Sequence, residues 1–245
     1  LDNLALNRTI EPELLLIKSI LKKGSVVLDI GANVGEYIYI FEKTKAKKIF
    51  AFEPIPKLFD NLKSMFKSAK IFDYAVSDRN GKAILKIPEI NDNTFLSRAT
   101  LKTDYIEPGE NGCSELNITT ISLDNFFNKY NYNLKKLDFI KIDVEGNEDK
   151  VIDGAYNTIE KFKPMLMVEI EQRHHKNDIK RIFQTLLKKD YEYFFYSLDK
   201  KQFIHGSVFS VSKHQKYRNI KTSKYINNFW FVHKSDSYYL ELLKC

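Results

Sequence analysis

Two short segments of this sequence combine glycines and a carboxylate in a spacing that suits a nucleoside ligand. The apolar run Val26–Ile30 leads into a turn of small residues, marked by Gly31, Asn33 and Gly35. Glycine lets the backbone approach a ligand closely, and the N–H groups at the start of a following helix would face that ligand. A second apolar run ends on Glu53, about 20 residues after the turn, where an acid can accept hydrogen bonds from both ribose hydroxyls.

The turn departs from the glycine pattern of dinucleotide-binding proteins. That pattern requires glycine at three positions that are occupied here by Gly31, Asn33 and Glu36. The acid at Glu36 would repel a pyrophosphate at the helix N-terminus, so a cationic or zwitterionic nucleoside suits the turn better. A nicotinamide-dependent oxidoreductase and a non-catalytic scaffold with the same strand-turn-helix unit stay open as alternatives.

Further polar residues follow the ends of later predicted strands. They are Ser77, Asp78, Asp143, Glu145, Glu169, Glu171 and His174. Because ligands of open parallel sheets bind at the carboxyl ends of the strands, these side chains should lie along one edge together with the glycine turn. Asp143 and Glu145 could instead be an N-cap and a first-turn acid that stabilise a helix.

Apolar runs alternating with helical periodicity predict the parallel α/β sheet that must position these residues. The predicted strands cover residues 26–30, 48–52, 71–76, 137–142 and 164–170. A helix is predicted over 12–22, and the aromatic runs 191–198 and 225–233 predict a terminal antiparallel pair. Residues 82–121 contain one short strand candidate, 83–87, and are otherwise expected to form a long substrate loop or lid.

The composition predicts one domain over residues 1–245, with an N-terminal helix in 1–24, a substrate-side insertion at 82–121 and C-terminal antiparallel strands in 190–245. Hydrophobic residues make up 43% of the 245, enough for a sizeable core. The absence of a long apolar run and of signal-peptide character, and the presence of only two cysteines, predict a cytoplasmic protein without a membrane span.

The net charge of +7 is spread over many short lysine pairs. Such a distribution is typical of a solvated surface, but it could also attract an anionic substrate such as a nucleotide-linked sugar or an acidic glycan. No stripe of aromatic and basic residues accompanies the charge, which argues against nucleic acid as a partner. The aromatic C-terminal segment could pair with a second copy, so a homodimer is a further expectation.

The order of these motifs resembles the FkbM-type methyltransferases. The matching blocks are residues 28–35, 52–54, 75–78, 120–124, 140–148 and 228–232. The resemblance implies an α/β fold of the class I methyltransferase (Rossmann-like) type, with a seven-stranded, mostly parallel sheet whose last strand is antiparallel. It also implies methyl transfer from S-adenosyl-L-methionine to a hydroxyl oxygen, with S-adenosyl-L-homocysteine as product. The acceptor would be a sugar, for example a nucleotide-linked sugar or one destined for a surface polysaccharide.

The resemblance implies a set of cofactor-binding residues. They are Asp29, Gly31, Asn33, Gly35, Glu53, Ser77, Asp78 and Asp143. The glycine turn would pass under the methionine part of the cofactor, and Asp29 would brace that turn. Glu53 would hold the ribose, the 77–78 corner would border the adenine, and Asp143 would face the methionine ammonium or the transferred methyl group.

A sugar hydroxyl has a high pKa, so a base near the attacking oxygen would assist the transfer. His174 is the preferred candidate because neutral imidazole can accept a proton near pH 7, and Glu171 could orient it beside Asp143. His174 could instead be an exposed loop residue. Asp143, Glu169, Glu171 and His174 could alternatively hold a divalent metal ion that acidifies the hydroxyl, but no metal site is predicted.

Overall fold

The structure is a computed structural model that describes residues 11–220 and 222–244. Its strands are β1 (Val26–Ile30), β2 (Lys48–Phe52), β3 (Lys70–Phe72), β4 (Tyr74–Val76), β5 (Gly81–Ile90), β6 (Asn93–Thr94), β7 (Glu110–Ile121), β8 (Phe139–Ile142), β9 (Met165–Glu169), β10 (Tyr191–Ser197), β11 (Gln202–His205) and β12 (Asn228–His233). Its helices are α1 (Pro12–Ile20), α2 (Glu36–Lys43), α3 (Pro56–Met65), α4 (Leu123–Lys129), α5 (Glu148–Gly154), α6 (Tyr156–Phe162), α7 (Lys180–Leu187), α8 (Val211–His214) and α9 (Ser237–Lys244).

The larger sheet of the described residues has eight strands in the order β11-β10-β12-β9-β8-β1-β2-β3. The five strands from β9 to β3 are parallel, while β12 runs antiparallel to both β9 and β10. The predicted class I methyltransferase sheet with an antiparallel last strand is therefore confirmed, as is the pairing of the two aromatic runs. The predicted seven strands become eight because residues 198–201 turn the chain back and β11 pairs with β10.

Apolar side chains cover both faces of this sheet because successive residues of a strand point to opposite sides. In β1, Leu28 belongs to a core that includes α4, α5, α6 and α7, whereas Val27 belongs to a second core with α1, α2 and α9. By the same alternation Asp29 lies on the Val27 side, and Lys141 lies on the Phe139 side of the adjacent strand. One face of the sheet therefore carries two charged side chains within its apolar core.

The segment expected to be a long loop forms a second sheet instead. Its order is β4-β7-β5-β6, and β5 and β7 pair antiparallel from Gly81–Thr120 to Ile90–Glu110. Much of β7 is exposed, so its residues lack the alternating apolar pattern by which a strand is recognised in a sequence. The predicted strand 71–76 is correspondingly divided, with β3 in the large sheet and β4 in the small one.

The helices begin where the sequence provides starting signals. Proline occupies the first turn of both α1 and α3, where its missing N–H would have no partner in the helix. Ser122 caps α4 by accepting a hydrogen bond from the Asn125 N–H at 3.3 Å. Within residues 11–220 and 222–244, none of the helices has the length and apolarity required to cross a bilayer.

Candidate active site

A cavity opens at the carboxyl ends of β1, β2 and β8, where the parallel sheet was expected to bind its ligand. We call it the glycine-turn cavity. Its lining includes Gly31 and the polar residues Asn33, Glu53, Ser97, Asp143, Glu145 and Asn147. Four of the eight predicted cofactor residues thus line one cavity, although they come from three separate segments. Hydrophobic side chains of the β5–β7 hairpin and its connecting segment, such as Leu85 and Leu101, complete the wall.

The glycine turn is held against the end of β8 by close backbone contact. Gly31 has φ +80°, and a Cβ atom there would lie 1.8 Å from the Asp143 carbonyl oxygen. The Gly31 and Ala32 N–H groups donate to the Phe52 carbonyl oxygen at 3.1 and 3.0 Å. Gly35, at φ +90°, forms the N-cap of α2 and lies outside the cavity lining. The absence of a side chain at residue 31 is thus a geometric requirement of the site.

Glu53 faces the cavity and also fixes the turn. Its Oε2 accepts a hydrogen bond from the Asn33 N–H at 2.8 Å, and its Oε1 accepts one from the Ile55 N–H at 2.9 Å. Burial raises the pKa of Glu53 to about 7, although these two N–H groups favour the charged form. Each carboxylate oxygen has a second lone pair, so the side chain can also accept hydrogen bonds from a diol in the cavity.

Lys141 is a site residue that none of the sequence motifs indicates. It is in register with Asp29 in the parallel pair of β1 and β8. Its Nζ lies 3.5 Å from Asp29 Oδ1 and 3.3 Å from Asp143 Oδ2, and donates to the Gly31 carbonyl oxygen at 2.8 Å. The acids Asp143 and Asp29 raise the pKa of Lys141 even though burial lowers it. The buried Lys141 ammonium therefore links the glycine turn to Asp143. In the sequence, the only sign of this role is a lysine in the middle of an apolar strand.

Asp29 is fully buried and does not line the cavity. Burial raises its pKa to about 6, while Lys141 favours its charged form. In the described part of the chain, neither of its carboxylate oxygens accepts a hydrogen bond, so the 3.5 Å approach of Lys141 is its closest charged contact. Its position behind the turn, under Lys141, is compatible with the bracing role proposed from the resemblance.

Asp143 and Glu145 lie on the segment between β8 and α5. Helix α5 has Asn147 as its N-cap and Glu148 and Asp149 in its first turn, so the alternative of a cap and a first-turn acid for residues 143 and 145 is wrong. The Asp143 side chain is 27% exposed, and that of Glu145 is 19% exposed. Burial and the neighbouring Asp143 raise the pKa of Glu145 well above its ordinary value.

His174 lies behind Glu145 and not in the cavity wall. It is 6% exposed, which excludes the alternative of an exposed loop residue. Its Nε2 is 3.3 Å from Glu145 Oε2. Burial and the neighbouring Arg173 charge lower the pKa of His174 to about 3, so the imidazole is neutral near pH 7. The Glu145 carboxyl and the neutral His174 imidazole thus lie side by side, although His174 Nε2 has no hydrogen-bond partner among the described residues.

The Glu171 carboxylate contacts other partners than the His174 ring. It accepts hydrogen bonds from the Arg173 guanidinium, from the Tyr225 hydroxyl at 2.8 Å and from the Asn227 amide at 3.3 Å. Although burial opposes ionisation, the Arg173 contact lowers the pKa of Glu171 to about 2. The structure therefore brings Glu145, and not the Glu171 side chain, to the His174 imidazole.

Residues 77 and 78, which were expected to border the adenine, lie near the cavity without lining it. Ser77 is buried and Asp78 pairs with Lys150 at 3.2 Å, and neither lines the cavity. Asn147 does line it, and its amide lies 3.3 Å from Ser77 Oγ and 3.4 Å from the Val76 carbonyl oxygen. Asn147 is thus the polar side chain that connects this corner to the cavity, and nothing in its local sequence distinguished it.

No group of three or more histidine, cysteine, aspartate or glutamate side chains within residues 11–220 and 222–244 is arranged to hold a metal ion. The cavity does fit an S-adenosylmethionine molecule by its chemistry. Gly31 and Asn33 line the cavity, and Glu53 offers two acceptor oxygens for a diol. The partly exposed carboxylate of Asp143 suits the positive charge of an ammonium group.

The sheet order, the antiparallel last strand and an edge of glycine and acid residues define the Rossmann-like class of S-adenosylmethionine-dependent methyltransferases. A family model described as the methyltransferase FkbM domain matches residues 29–193, and the chain belongs to this family. The chain is 29% identical over 162 residues to the 2-O-methyltransferase NoeI of Sinorhizobium fredii, a match that covers 60% of this chain and 64% of that protein.

A crystal structure of a methyltransferase FkbM from Methylobacillus flagellatus is also similar. The TM-score is 0.53 at 15% sequence identity, and the match covers 86% of this chain and 44% of that one. At this identity the similarity supports the fold alone. The chain spans less than two thirds of the length of either relative.

Proposed function

We propose that this protein transfers a methyl group from S-adenosylmethionine to a hydroxyl oxygen of a sugar. The observation that carries the proposal is the meeting of Gly31, Asn33, Glu53 and Asp143 in one cavity at the carboxyl edge of the sheet. The similarity to the 2-O-methyltransferase NoeI supports oxygen as the methylated atom, and the family resemblance of the sequence motifs supports a sugar as the acceptor.

When bound, the cofactor supplies a methyl group on a sulfonium, which is already a good leaving group. The residues of the chain would hold and orient it: Glu53 would accept hydrogen bonds from the ribose hydroxyls, and Asp143 would attract the ammonium end. Lys141 keeps the Asp143 carboxylate and the Gly31 carbonyl in fixed positions through its 3.3 and 2.8 Å contacts. Alignment of the reacting atoms and exclusion of water are the main contributions a protein makes to such a displacement.

The acceptor hydroxyl would have to lose its proton when its oxygen takes the methyl group from the bound cofactor. Glu145 is the group that we assign to receive this proton, because it lines the cavity whereas His174 does not. Its raised pKa makes Glu145 a stronger base than an ordinary carboxylate. His174 then acts as a positioning residue, since its neutral imidazole, with Nε2 3.3 Å from Glu145 Oε2, limits where the Glu145 side chain can lie.

Methyl transfer is tested by incubating the purified protein with methyl-labelled S-adenosylmethionine and a panel of oligosaccharides and nucleotide sugars. The expected result is a labelled sugar whose mass has increased by one CH₂ group. Glu145→Gln should lower kcat about 100-fold or more while cofactor affinity stays unchanged. Cofactor binding without transfer to any acceptor would favour a non-catalytic protein, and tighter binding of NAD than of S-adenosylmethionine would favour an oxidoreductase.

A further inference from the structure

The excess of positive charge is located in one segment, although lysine pairs occur throughout the chain. Residues 200–224, which we call the basic segment, contain seven of the 39 lysines and arginines and none of the 32 acids. The rest of the chain therefore carries equal numbers of positive and negative side chains. The basic residues of the segment that the structure describes are all exposed; they are Lys200, Lys201, Lys213, Lys216, Arg218 and Lys224.

The basic segment borders a cavity beside β10 and β11. We call it the basic cavity; its volume is about 400 Å³. Its apolar lining residues are Phe195, Ile204, Val208 and Ile226, and three lysines of the basic segment, residues 200, 213 and 224, line it as well. Phe195 and Ile226 are buried, whereas Val208 is 56% exposed, so the apolar lining extends from the core to the protein surface.

The lysines of the basic cavity are available to an external partner. In the described part of the chain, none of Lys200, Lys213 and Lys224 forms an ion pair. The acid among the described lining residues, Asp199, accepts a hydrogen bond from Ser223 Oγ at 2.7 Å. The lining therefore has an excess of positive charge at the protein surface, which attracts an anionic group.

The basic segment is attached to the large sheet by side-chain hydrogen bonds. Gln215 Nε2 donates to the Ile170 carbonyl oxygen at 2.6 Å and to the Ile226 carbonyl oxygen at 2.9 Å. Gln215 Oε1 accepts from the Gln172 N–H at 2.8 Å. The segment is thus joined to the residues that follow β9 and precede β12, and the basic cavity is part of the folded structure.

An apolar lining combined with lysines suits a lipid that has an anionic head group. The ammonium groups can approach the head group, while aliphatic side chains contact the adjoining acyl chain. Single-stranded nucleic acid is a poorer match, because its bases stack on exposed aromatic rings. In this cavity the ring of Phe195 is buried, and the exposed apolar side chain, Val208, is aliphatic.

We propose that the basic segment docks the protein on a membrane surface that contains anionic lipids. The basic cavity receives the head group and the upper acyl chain of one such lipid. Docking of this kind is peripheral and requires no membrane-spanning helix, and the described residues contain none. The proposal goes beyond methyl transfer and does not depend on it.

The test is cosedimentation of the purified protein with phosphatidylcholine vesicles, prepared with and without about 30% phosphatidylserine. We expect the partition coefficient to be at least about 100-fold higher for the anionic vesicles and to fall as the salt concentration rises. The triple variant Lys200→Gln, Lys213→Gln and Lys224→Gln should lower it about 100-fold, because each lysine near an anionic surface contributes about fivefold. Val208→Ser should lower it about fivefold through lost apolar contact.

The matched control replaces Lys18, Lys23 and Lys47 with glutamine. These lysines are exposed and lie outside the basic segment, so the same charge is removed and partitioning should stay nearly unchanged. Equal partitioning onto both kinds of vesicle, equal losses from the two triple variants, or an unchanged Val208→Ser would overturn the proposal. Tighter binding to single-stranded RNA than to anionic vesicles would also overturn it. Vesicle binding is measured without cofactor or acceptor, so a failure here is distinct from a failure of methyl transfer.

Discussion

The two sides of the glycine-turn cavity are built in different ways. On the β1–β2 side, Glu53 bonds to the N–H groups of Asn33 and Ile55, and Gly31 packs on the Asp143 backbone. On the hairpin side, the segment between β6 and β7 is joined to Glu145 and to the 171–175 segment by side-chain hydrogen bonds and ion pairs. The first side depends on backbone geometry and the second on ion pairs and hydrogen bonds, so different substitutions should disrupt them.

Residues of the segment between β6 and β7 position the groups that we assign to proton transfer. The Thr100 hydroxyl donates to the Glu145 carbonyl oxygen at 2.6 Å, and Lys102 Nζ donates to the His174 carbonyl oxygen at 2.9 Å. The Arg173 guanidinium donates to Glu107 at 2.7 and 2.9 Å. The small sheet is thus fastened to the 171–175 segment, and its position determines where Glu145 and His174 lie.

The largest effect is expected on the backbone side, from Gly31→Ala. The added Cβ would lie 1.8 Å from the Asp143 carbonyl oxygen, so the turn or the end of β8 must move. We expect a loss of more than about 4 kcal/mol in the free energy of unfolding, measured with urea.

The matched control is Gly24→Ala, because Gly24 has φ +81° and no atom within 4 Å of an added Cβ. Its expected loss is about 1 kcal/mol, which comes from the left-handed backbone alone. Equal losses at residues 24 and 31 would mean that backbone contact does not hold the turn.

The next largest effect is expected from Lys141→Met, which removes the buried ammonium. Asp29 and Asp143 then lose their shared cation, and breaking a buried ion pair from one side costs about 3–5 kcal/mol. The double variant with Asp29→Asn should recover part of this loss, which a double-mutant cycle in urea would measure. Additive losses would contradict the assigned coupling between Lys141 and Asp29.

A pH effect is expected from Glu53, whose pKa is raised from 4.5 to about 7 by burial. The folded protein favours the neutral acid, so this contribution to stability is complete below pH 4.5 and is lost as the pH rises through 7. Relative to Glu53→Gln, the wild-type protein should lose about 3 kcal/mol of unfolding free energy over that range. If the difference in unfolding free energy between the wild-type protein and Glu53→Gln does not change with pH, the buried, cavity-facing position of this carboxyl is contradicted.

A smaller effect is expected on the hairpin side, from Glu107→Gln. Glu107 is 5% exposed and accepts from Arg173, so loss of its charge should lower the free energy of unfolding by about 2 kcal/mol. Cleavage of the 91–109 segment by a protease should become faster. Asp104→Asn breaks the exposed pair with Lys176 and should leave the free energy of unfolding nearly unchanged. Equal effects of the two substitutions would contradict the fastening role of Glu107.

The sequence predicted the backbone side of the cavity because its residues follow consecutive strands of a parallel sheet. Gly31, Asn33, Glu53 and Asp143 each come directly after a recognisable apolar run, and sheet topology brings such positions to one edge. Residues 77 and 78 satisfy the same rule but lie outside the cavity lining, to which β4 of the small sheet contributes Tyr74, Ala75 and Val76 instead.

The hairpin side could not be predicted in the same way. The partners Glu107 and Arg173 are 66 residues apart, and neither lies in a sequence pattern that predicts their contact. The exposed residues of β7 conceal its strand character, so the sheet that positions Glu145 was expected to be a loop. Lys141 was visible as a charged residue in an apolar strand, but its partner Asp29 depends on strand register, which the sequence does not specify.

The most direct test of the central claim is calorimetric titration of the wild-type protein and Glu53→Ala with S-adenosylmethionine, together with an analogue that lacks the ribose hydroxyls. We expect saturable binding to the wild-type protein, weakened about 100-fold by the substitution, because two hydrogen bonds to a carboxylate are lost. The analogue should bind both proteins equally weakly, and Asp60→Asn, at an exposed position of α3, should bind like the wild type. Absence of binding at millimolar cofactor, or equal affinity of the wild-type protein for the cofactor and the analogue, would contradict the account.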